Sequence, residues 1–285
     1  MAISKIDMHM HCNASDGTDS PAEILEKVEK AGIKIFSVTD HDTIKGTLAV
    51  EKRLPQGIRF VRGIEFSCKT PVKKCHILGY DFDPENEEFQ AAIREGKAIR
   101  EQKLQNRFHF LEELHHIEIS VEDRQALMSM ESAGKPHLAT VLIRMGYASD
   151  IDGAIRKYLK HIPGEKNGQD RITAASAIDG ILAAGGVPVW AHPLGGEGEK
   201  HLTEEEFARQ LTCLLQMGIQ GLECYYSRYT EEEVEFLLEQ ARKYGLLVSG
   251  GSDYHGANKN IPLGTLNAYG KEVKKEALTL LKMFS

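Results

Sequence analysis

The chain has 285 residues, 41% hydrophobic and 27% charged, with a formal net charge of −7. This is the composition of an ordinary soluble globular protein, long enough for one large α/β barrel or two small domains, and its acidic balance argues against a non-specific nucleic-acid binder. No apolar run is long enough to span a bilayer, no basic start with an apolar core marks a secretory leader, and five cysteines without a CxxC pair fit free thiols in a reducing cytoplasm.

In chain order, the first apolar run ends at Asp7-Met8-His9-Met10-His11. Ser20-Pro21-Ala22-Glu23 is a capping box with proline at the first helical position, and Gly32 is placed to end that helix. Strand-like runs follow at Ile33–Val38, Ile58–Ile64 and Cys75–Tyr80. From Glu85 to about Lys160 the pattern is helical and charged, and Gly164–Asp170 reads as a loop. The alternation resumes with a helix near Ala174–Ala184, strands at Val187–Ala191, Gly218–Tyr225 and Leu246–Gly250, and helices capped at Thr203 and Thr230 with a glutamate three residues later. Seven alternating strands predict an α/β fold, a distorted seven-stranded (β/α)7 TIM-like barrel with a helical insertion domain. The expected division is barrel over residues 1–83, insertion over 84–170 and barrel again over 171–285.

The chemistry lies at the ends of these runs: His9 and His11, Asp40-His41, Glu65, His76, His192, Glu223, and Asp253 with His255. Active sites of β/α barrels form at the C-terminal ends of the strands, so side chains of this type recurring there predict a metal cluster on one rim. Asp7, His9 and His11 alternate with Met8, Met10 and Cys12, which puts the three polar side chains on one face. His9 and His11 can chelate one ion, and Asp7, one step deeper, fits a partner that fixes a ring orientation. Cys12 and Cys75 are expected to pack away from the metals. Glu223 sits at a strand end without a partner motif, and Asp40 and Asp42 read as neighbours of the ligands or turn residues. His109, His115, His116, His161 and His201 are expected on the surface.

Asp7-Met8-His9-Met10-His11, Ser15-Asp16-Gly17, Thr39-Asp40-His41-Asp42, Gly63-Ile64-Glu65, Ala191-His192-Pro193 and Gly251-Ser252-Asp253-Tyr254-His255 together resemble the PHP (polymerase and histidinol phosphatase) family. The closest resemblance is to its bacterial metal-dependent phosphoesterases acting on nucleoside 3′,5′-bisphosphates and short RNA. It covers both barrel portions, nearly two-thirds of the chain. The resemblance implies two to three divalent ions, Mn, Fe or Zn. It assigns His9, His11, Glu65 and Asp253 to the first ion and a bridging Glu65 with His76 and His192 to the second. Asp16, His41 and His255 go to the third. Some relatives have histidine where this chain has Asp16, and relatives often have histidine where it has Tyr229. The loop at Gly164–Asp170 also departs from the usual pattern.

No GxSxG elbow, P-loop or HExxH motif supplies another reactive group. The expected reaction is direct attack on the phosphoester by a metal-bridging hydroxide, with no protein nucleophile. Arg94, Lys97, Arg100, Lys103 and Arg107 recur at helical spacing and read mainly as a solvated face. Arg100, Lys135 and His137 at a helix start, and Ser227, resemble positions by which relatives hold substrate phosphate. Tyr225, Tyr226 and Phe66 are equally placed to stack a base or to fill the core. The substrate expected is a small phosphoester of nucleotide type, with removal of a 3′-phosphate as the leading reaction. The alternatives are 5′→3′ trimming of short RNA and, less favoured, histidinol-phosphate hydrolysis. An amidohydrolase would carry a strand-four lysine where this chain has His76. A purely structural metal module would have lost ligands.

Overall fold

Three short strands near the N-terminus form a parallel sheet in chain order: β1 (Ile6–Asp7), β2 (Ile35–Phe36) and β3 (Arg59–Phe60). A six-stranded sheet contains β4 (Gly63–Lys69), β5 (Lys74–Tyr80), β6 (Ile172–Thr173), β7 (Val187–Trp190), β8 (Gly221–Tyr226) and β9 (Leu247–Gly251), ordered β6-β4-β5-β7-β8-β9. The structure is a computed structural model and describes residues 3–162, 171–196 and 200–284, so the expected loop at 164–170 lies outside the described residues.

Two expectations change. The run at 58–64 is two strands, because the chain leaves β3 and turns inward at Gly63. A Cβ there would meet Ser37 Oγ at 2.1 Å and Val38 O at 2.8 Å, so only glycine allows β4 to approach the end of β2 this closely. The sheet is also not all parallel: β5 is antiparallel to both β4 and β7, with Ser67 opposite His76. The regular ladders thus form two sheets rather than one parallel ring of seven. Backbone bonds join the two on the side where the histidines lie. Met8 N donates to Gly250 O (3.1 Å), Asp253 N to His9 O (2.8 Å) and Glu65 N to Asp40 O (3.2 Å).

The helices follow their caps. Helix α1 (Pro21–Ala31) has the Ser20/Glu23 capping box and ends on Gly32 at φ 72°. Helix α2 (Lys45–Glu51) was not expected, and Ile44 gives it no side-chain cap. Helix α3 (Glu87–His115) is 29 residues long. It is followed by α4 (Val121–Ser129), α5 (Lys135–Arg144) and α6 (Ile151–Tyr158). Helices α7 (Ala174–Ala183), α8 (Glu204–Gln216) and α9 (Glu231–Tyr244) cover the second sheet, the last two with the expected capping boxes. No helix among the described residues is long and apolar enough to cross a membrane.

The apolar side chains divide accordingly. Phe66, Ile77, Trp190, Phe207 and Leu222 belong to the main core beneath α7–α9, and Phe89 and Ala92 at the start of α3 join it. Farther along α3, Leu104, Phe108 and Leu111 pack instead with Leu127, Leu138 and Leu142 of α4 and α5. One helix therefore takes part in two cores.

Candidate metal centre

The first apolar run continues past β1 to bring His9 and His11 to the place where the two sheets meet. Met8, Met10 and Cys12, between and beside them, are fully buried in the opposite direction, as period two requires. Asp253 and His255 follow β9, beside the bridge between Met10 and Tyr254. His41 follows β2 and bridges Glu65, the third residue of β4. His76 is not at the end of its strand but near its start, and it reaches the same place because β5 runs the other way. His192 follows β7. His192 (φ 28°) and Asp253 (φ 57°) both have left-handed backbones, which cost energy for any residue but glycine and concentrate at working sites.

Of the nine side chains expected to bind metal, five histidines converge on a sixth member, Glu65. Its Oε2 lies 3.3 Å from His9 Nε2, 3.2 Å from His11 Nε2 and 3.1 Å from His41 Nδ1. Its Oε1 lies 2.9 Å from His76 Nδ1 and 3.2 Å from His192 Nε2. Asp253 Oδ1 is 3.3 Å from His11 Nε2 and 3.6 Å from His9 Nε2. On the other side, Asp16 Oδ1 is 3.3 Å from His255 Nε2, and Asp16 Oδ2 is 3.9 Å from His41 Nε2. Three groups have ligand atoms all within 4.8 Å of one another: His9, His11 and Asp253; His41, Glu65 and His76; and His11, Asp16, His41 and His255. His11 and His41 thus lie between groups, which the position-by-position expectation did not include.

His76 Nδ1 and His192 Nε2 can each pair with Glu65 Oε1, but other atoms of the cage do not satisfy each other as hydrogen-bonding partners. His9 Nε2 and His11 Nε2 face each other at 3.2 Å. His41 Nδ1, though close to Glu65, has no aligned partner and is buried. Buried polar atoms are normally paired, and lone pairs converging without intervening protons fit divalent cations. An all-imidazole and carboxylate set, with no thiolate, suits Mn, Fe or Zn.

Neighbouring groups fix the cage. Glu223 Oε1 accepts from His9 Nδ1 at 2.9 Å, leaving the His9 Nε2 lone pair toward the cage, and Oε2 accepts the His192 backbone N–H at 2.8 Å. The role expected for Asp7, holding a ring, therefore belongs to Glu223. Asp7 is tied to backbone and hydroxyl groups instead: Ser252 N (2.9 Å), Ser252 Oγ (2.6 Å), Gly264 N (2.8 Å) and His9 N (3.3 Å). Asp40 accepts from Ser15 Oγ (2.6 Å), Cys12 N (2.9 Å) and the Cys12 thiol (2.9 Å). Lys259, which no motif marks, is 2.6 Å from Asp253 Oδ2, and Tyr226 donates to the same oxygen at 2.8 Å.

Burial opposes charge throughout the cage; it prevails at His41, His76 and His255, whose pKa values it lowers, and pairing outweighs it elsewhere. Burial pushes the Glu65, Asp16 and Asp253 carboxyls up, but the surrounding imidazoles, and Lys259 beside Asp253, hold all three well below the usual carboxylate range. Burial lowers His9 and His11, yet the carboxylates around them outweigh it, and His11 rises to about 9. Burial pushes Asp7 up to about 6 despite its four donors. The cage carries paired opposite charge at its centre, which a divalent cation also supplies.

The expected phosphate contacts lie around this cage. Arg100 pairs with Asp42 through Nε and donates to Ser67 Oγ at 2.8 Å. His137 Nδ1 accepts from Gly134 N at 3.0 Å at the start of α5, and the ring also bonds the backbone of Ser15, beside Asp16. Lys135 is the first residue of α5. Ser227 is buried, and its hydroxyl has no partner. Of the other α3 cations, Arg107 is buried, Lys97 lies 3.3 Å from Glu131 and Arg94 lies 3.9 Å from Glu87. Phe66 and Tyr226 are fully buried and offer no face to a base. Tyr229 is also buried, its hydroxyl accepting from Leu194 N at 2.8 Å.

Known proteins resemble this chain over most of its length. It is 29% identical over 252 residues to a 5′-3′ exoribonuclease of Haemophilus influenzae, covering 88% of this chain and 90% of the relative. It is 27% identical over 259 residues to a 3′,5′-nucleoside bisphosphate phosphatase of Chromobacterium violaceum, covering 89% and 88%. A solved structure from Bifidobacterium adolescentis, described as a metal-dependent phosphoesterase, superposes with a TM-score of 0.82 at 25% identity, covering 98% of this chain and 94% of that one. The PHP domain model matches residues 7–184, more than half of the chain and all of the cage's first half. The chain belongs to the PHP domain family.

Proposed function

We propose that this metal-dependent phosphoesterase removes the 3′-phosphate of a nucleoside 3′,5′-bisphosphate, giving the nucleoside 5′-monophosphate and phosphate. The observation that carries the reading is the convergence of His9, His11, His41, His76 and His192 on the two oxygens of the buried Glu65. His9, His11, Glu65 and Asp253 would hold one divalent ion, Glu65, His76 and His192 a second, and Asp16, His41 and His255 a third. Bound there, such ions supply charge to a phosphoryl group and lower the pKa of water.

The chain's own residues do the remaining work. Glu223 keeps the His9 proton on Nδ1. Lys259, at 2.6 Å from Asp253, places a cation at the mouth of the cage. Arg100, Lys135, His137 and Ser227 are the candidates for the second phosphate, and of these His137 stands beside Ser15 and Asp16. Residues 84–170 act as an insertion domain that brings α5 there.

The test is phosphate release from adenosine 3′,5′-bisphosphate by Mn²⁺-loaded protein, with 5′-AMP as control. Release from the bisphosphate alone supports the reading. Release from neither substrate overturns it. Short RNA is the second substrate to try, favoured by the likeness to a 5′-3′ exoribonuclease.

A further inference from the structure

Lys259 belongs to no ligand motif, yet it opens onto the cage. Its Nζ lies 2.6 Å from Asp253 Oδ2, and its side chain is only 19% exposed. The small void at the heart of the cage is lined by Glu65, Asp253, Gly196, three of the histidines and Lys259. No other lysine or arginine among the described residues lines it. The carboxylates of Asp253, Asp16 and Glu65 all act on the Lys259 charge.

The loop that carries Lys259 is fastened to the loop of Asp16. Ala257 N donates to Thr18 Oγ1 at 2.8 Å, Asn258 Nδ2 to Asp16 O at 2.7 Å and Thr18 N to His255 O at 3.2 Å. Gly256 (φ 65°) allows this approach, since a Cβ there would meet Thr18 Oγ1 at 2.0 Å. The ammonium is therefore held in place before any ligand arrives. Fixing a lysine costs rotamer freedom, and Asp253 does not require it for a partner. Tyr226, fully buried behind it, already donates to the same oxygen at 2.8 Å. Nor does the charge balance call for it. Even two divalent ions would outweigh the charges of Glu65, Asp16 and Asp253, so a fixed cation beside them is unfavourable until an anion enters. A phosphoryl group is such an anion.

We propose that Lys259 is a catalytic residue whose ammonium donates to a non-bridging oxygen of the reacting phosphoryl group and holds it most strongly in the transition state. This rests on the phosphoesterase reading above. As the oxygen of water bonds to phosphorus, the bond from phosphorus to the ester oxygen breaks. One proton of the water ends on the departing oxygen, and the other stays on the released phosphate. Lys259 keeps its own protons throughout and serves as a fixed charge and donor, aimed where negative charge develops.

Lys259→Met, Lys259→Arg and Tyr226→Phe test this through bisphosphate turnover, Mn²⁺ titration and anion binding. Lys259→Met is expected to lower kcat about 100-fold or more with Mn²⁺ affinity little changed, and Lys259→Arg to recover part of the loss. Orthovanadate, whose five-coordinate form resembles the transition state, should lose affinity for Lys259→Met about tenfold or more beyond the loss for inorganic phosphate. Tyr226→Phe reaches the site only through Asp253 and should lower Mn²⁺ affinity and kcat together. The same joint loss in Lys259→Met would make Lys259 a mere support for Asp253 and overturn the proposal. Wild-type kcat, or equal weakening of vanadate and phosphate, overturns it as well. A wild-type protein that turns over no bisphosphate removes the proposed reaction, and the comparison of vanadate with phosphate still decides the role of Lys259.

Discussion

One carboxylate serves two strands of the cage: Glu223 accepts from His9 Nδ1 at 2.9 Å with one oxygen and from the His192 backbone at 2.8 Å with the other. Glu223→Gln keeps the shape but presents an NH2 group to one of these donors. Outer partners of metal-bound histidines are worth about 10–100-fold in metal affinity or activity. We expect a loss of that size in both, with folding retained. Zinc titration and phosphate release measure the two separately, and wild-type affinity would show that Glu223 has no part in holding the cage.

Asp7 accepts four hydrogen bonds on its two oxygens. Asp7→Asn turns two of those contacts into opposed donors. The expected cost is about 2–4 kcal/mol of stability, read as a lowered denaturant midpoint. Burial raises the Asp7 pKa to about 6 in the folded protein, above the ordinary value of 3.8. The folded state therefore binds the proton more tightly, and this group favours folding more as pH falls from 6 toward 4. Asp7→Asn should remove that component of the pH dependence.

Metal loading should stabilise the fold, because the cage brings buried charges together. At a free ion concentration 100 times the dissociation constant, the gain is about 2.7 kcal/mol, or roughly 5 °C in Tm for a chain of this length. Chelation should reverse it. His192→Ala should lose most of the activity and keep part of the Tm rise, since the groups around His11 remain. A full Tm rise with full activity would remove His192 from the metal-binding set.

Leu111 is fully buried in the separate core of α3–α5. Leu111→Ala should cost about 2–5 kcal/mol. If residues 84–170 form a unit of their own, the loss falls on one of two unfolding transitions, while metal-induced stabilisation stays on the other. A single transition carrying both effects would join the two cores into one cooperative unit.

Much of the cage was legible because its members sit at fixed offsets from short apolar runs. His9 and His11 share a face by period two, and Asp253 with His255 repeats the arrangement at the last strand. The capping boxes at Ser20, Thr203 and Thr230 likewise set helix starts within a few residues. Strand direction was not legible. A strand entered from either end has the same alternation, so nothing local marked β5 as reversed or split the run at 58–64. Glu223 and Lys259 were underweighted for a related reason: their partners, His9 and Asp253, are chosen by the fold, and a single carboxylate or lysine carries no spacing signal.

The reversed strand has a mechanical consequence. Because β5 runs away from the histidines, the chain leaves Tyr80 at the far end of the sheet, and everything up to α5 must be carried back. Helix α3 is the rod that does so, anchored by Phe89 and Ala92 at one end and by Leu104, Phe108 and Leu111 at the other, with Arg100 between them against Asp42. Deleting one residue between the two anchors would turn the distal half by about 100° and retract it by about 1.5 Å. Both Arg100 and the start of α5 would swing away from Asp42 and Ser15, so the number of residues in this helix acts as a gauge that sets where the second core stands against the cage.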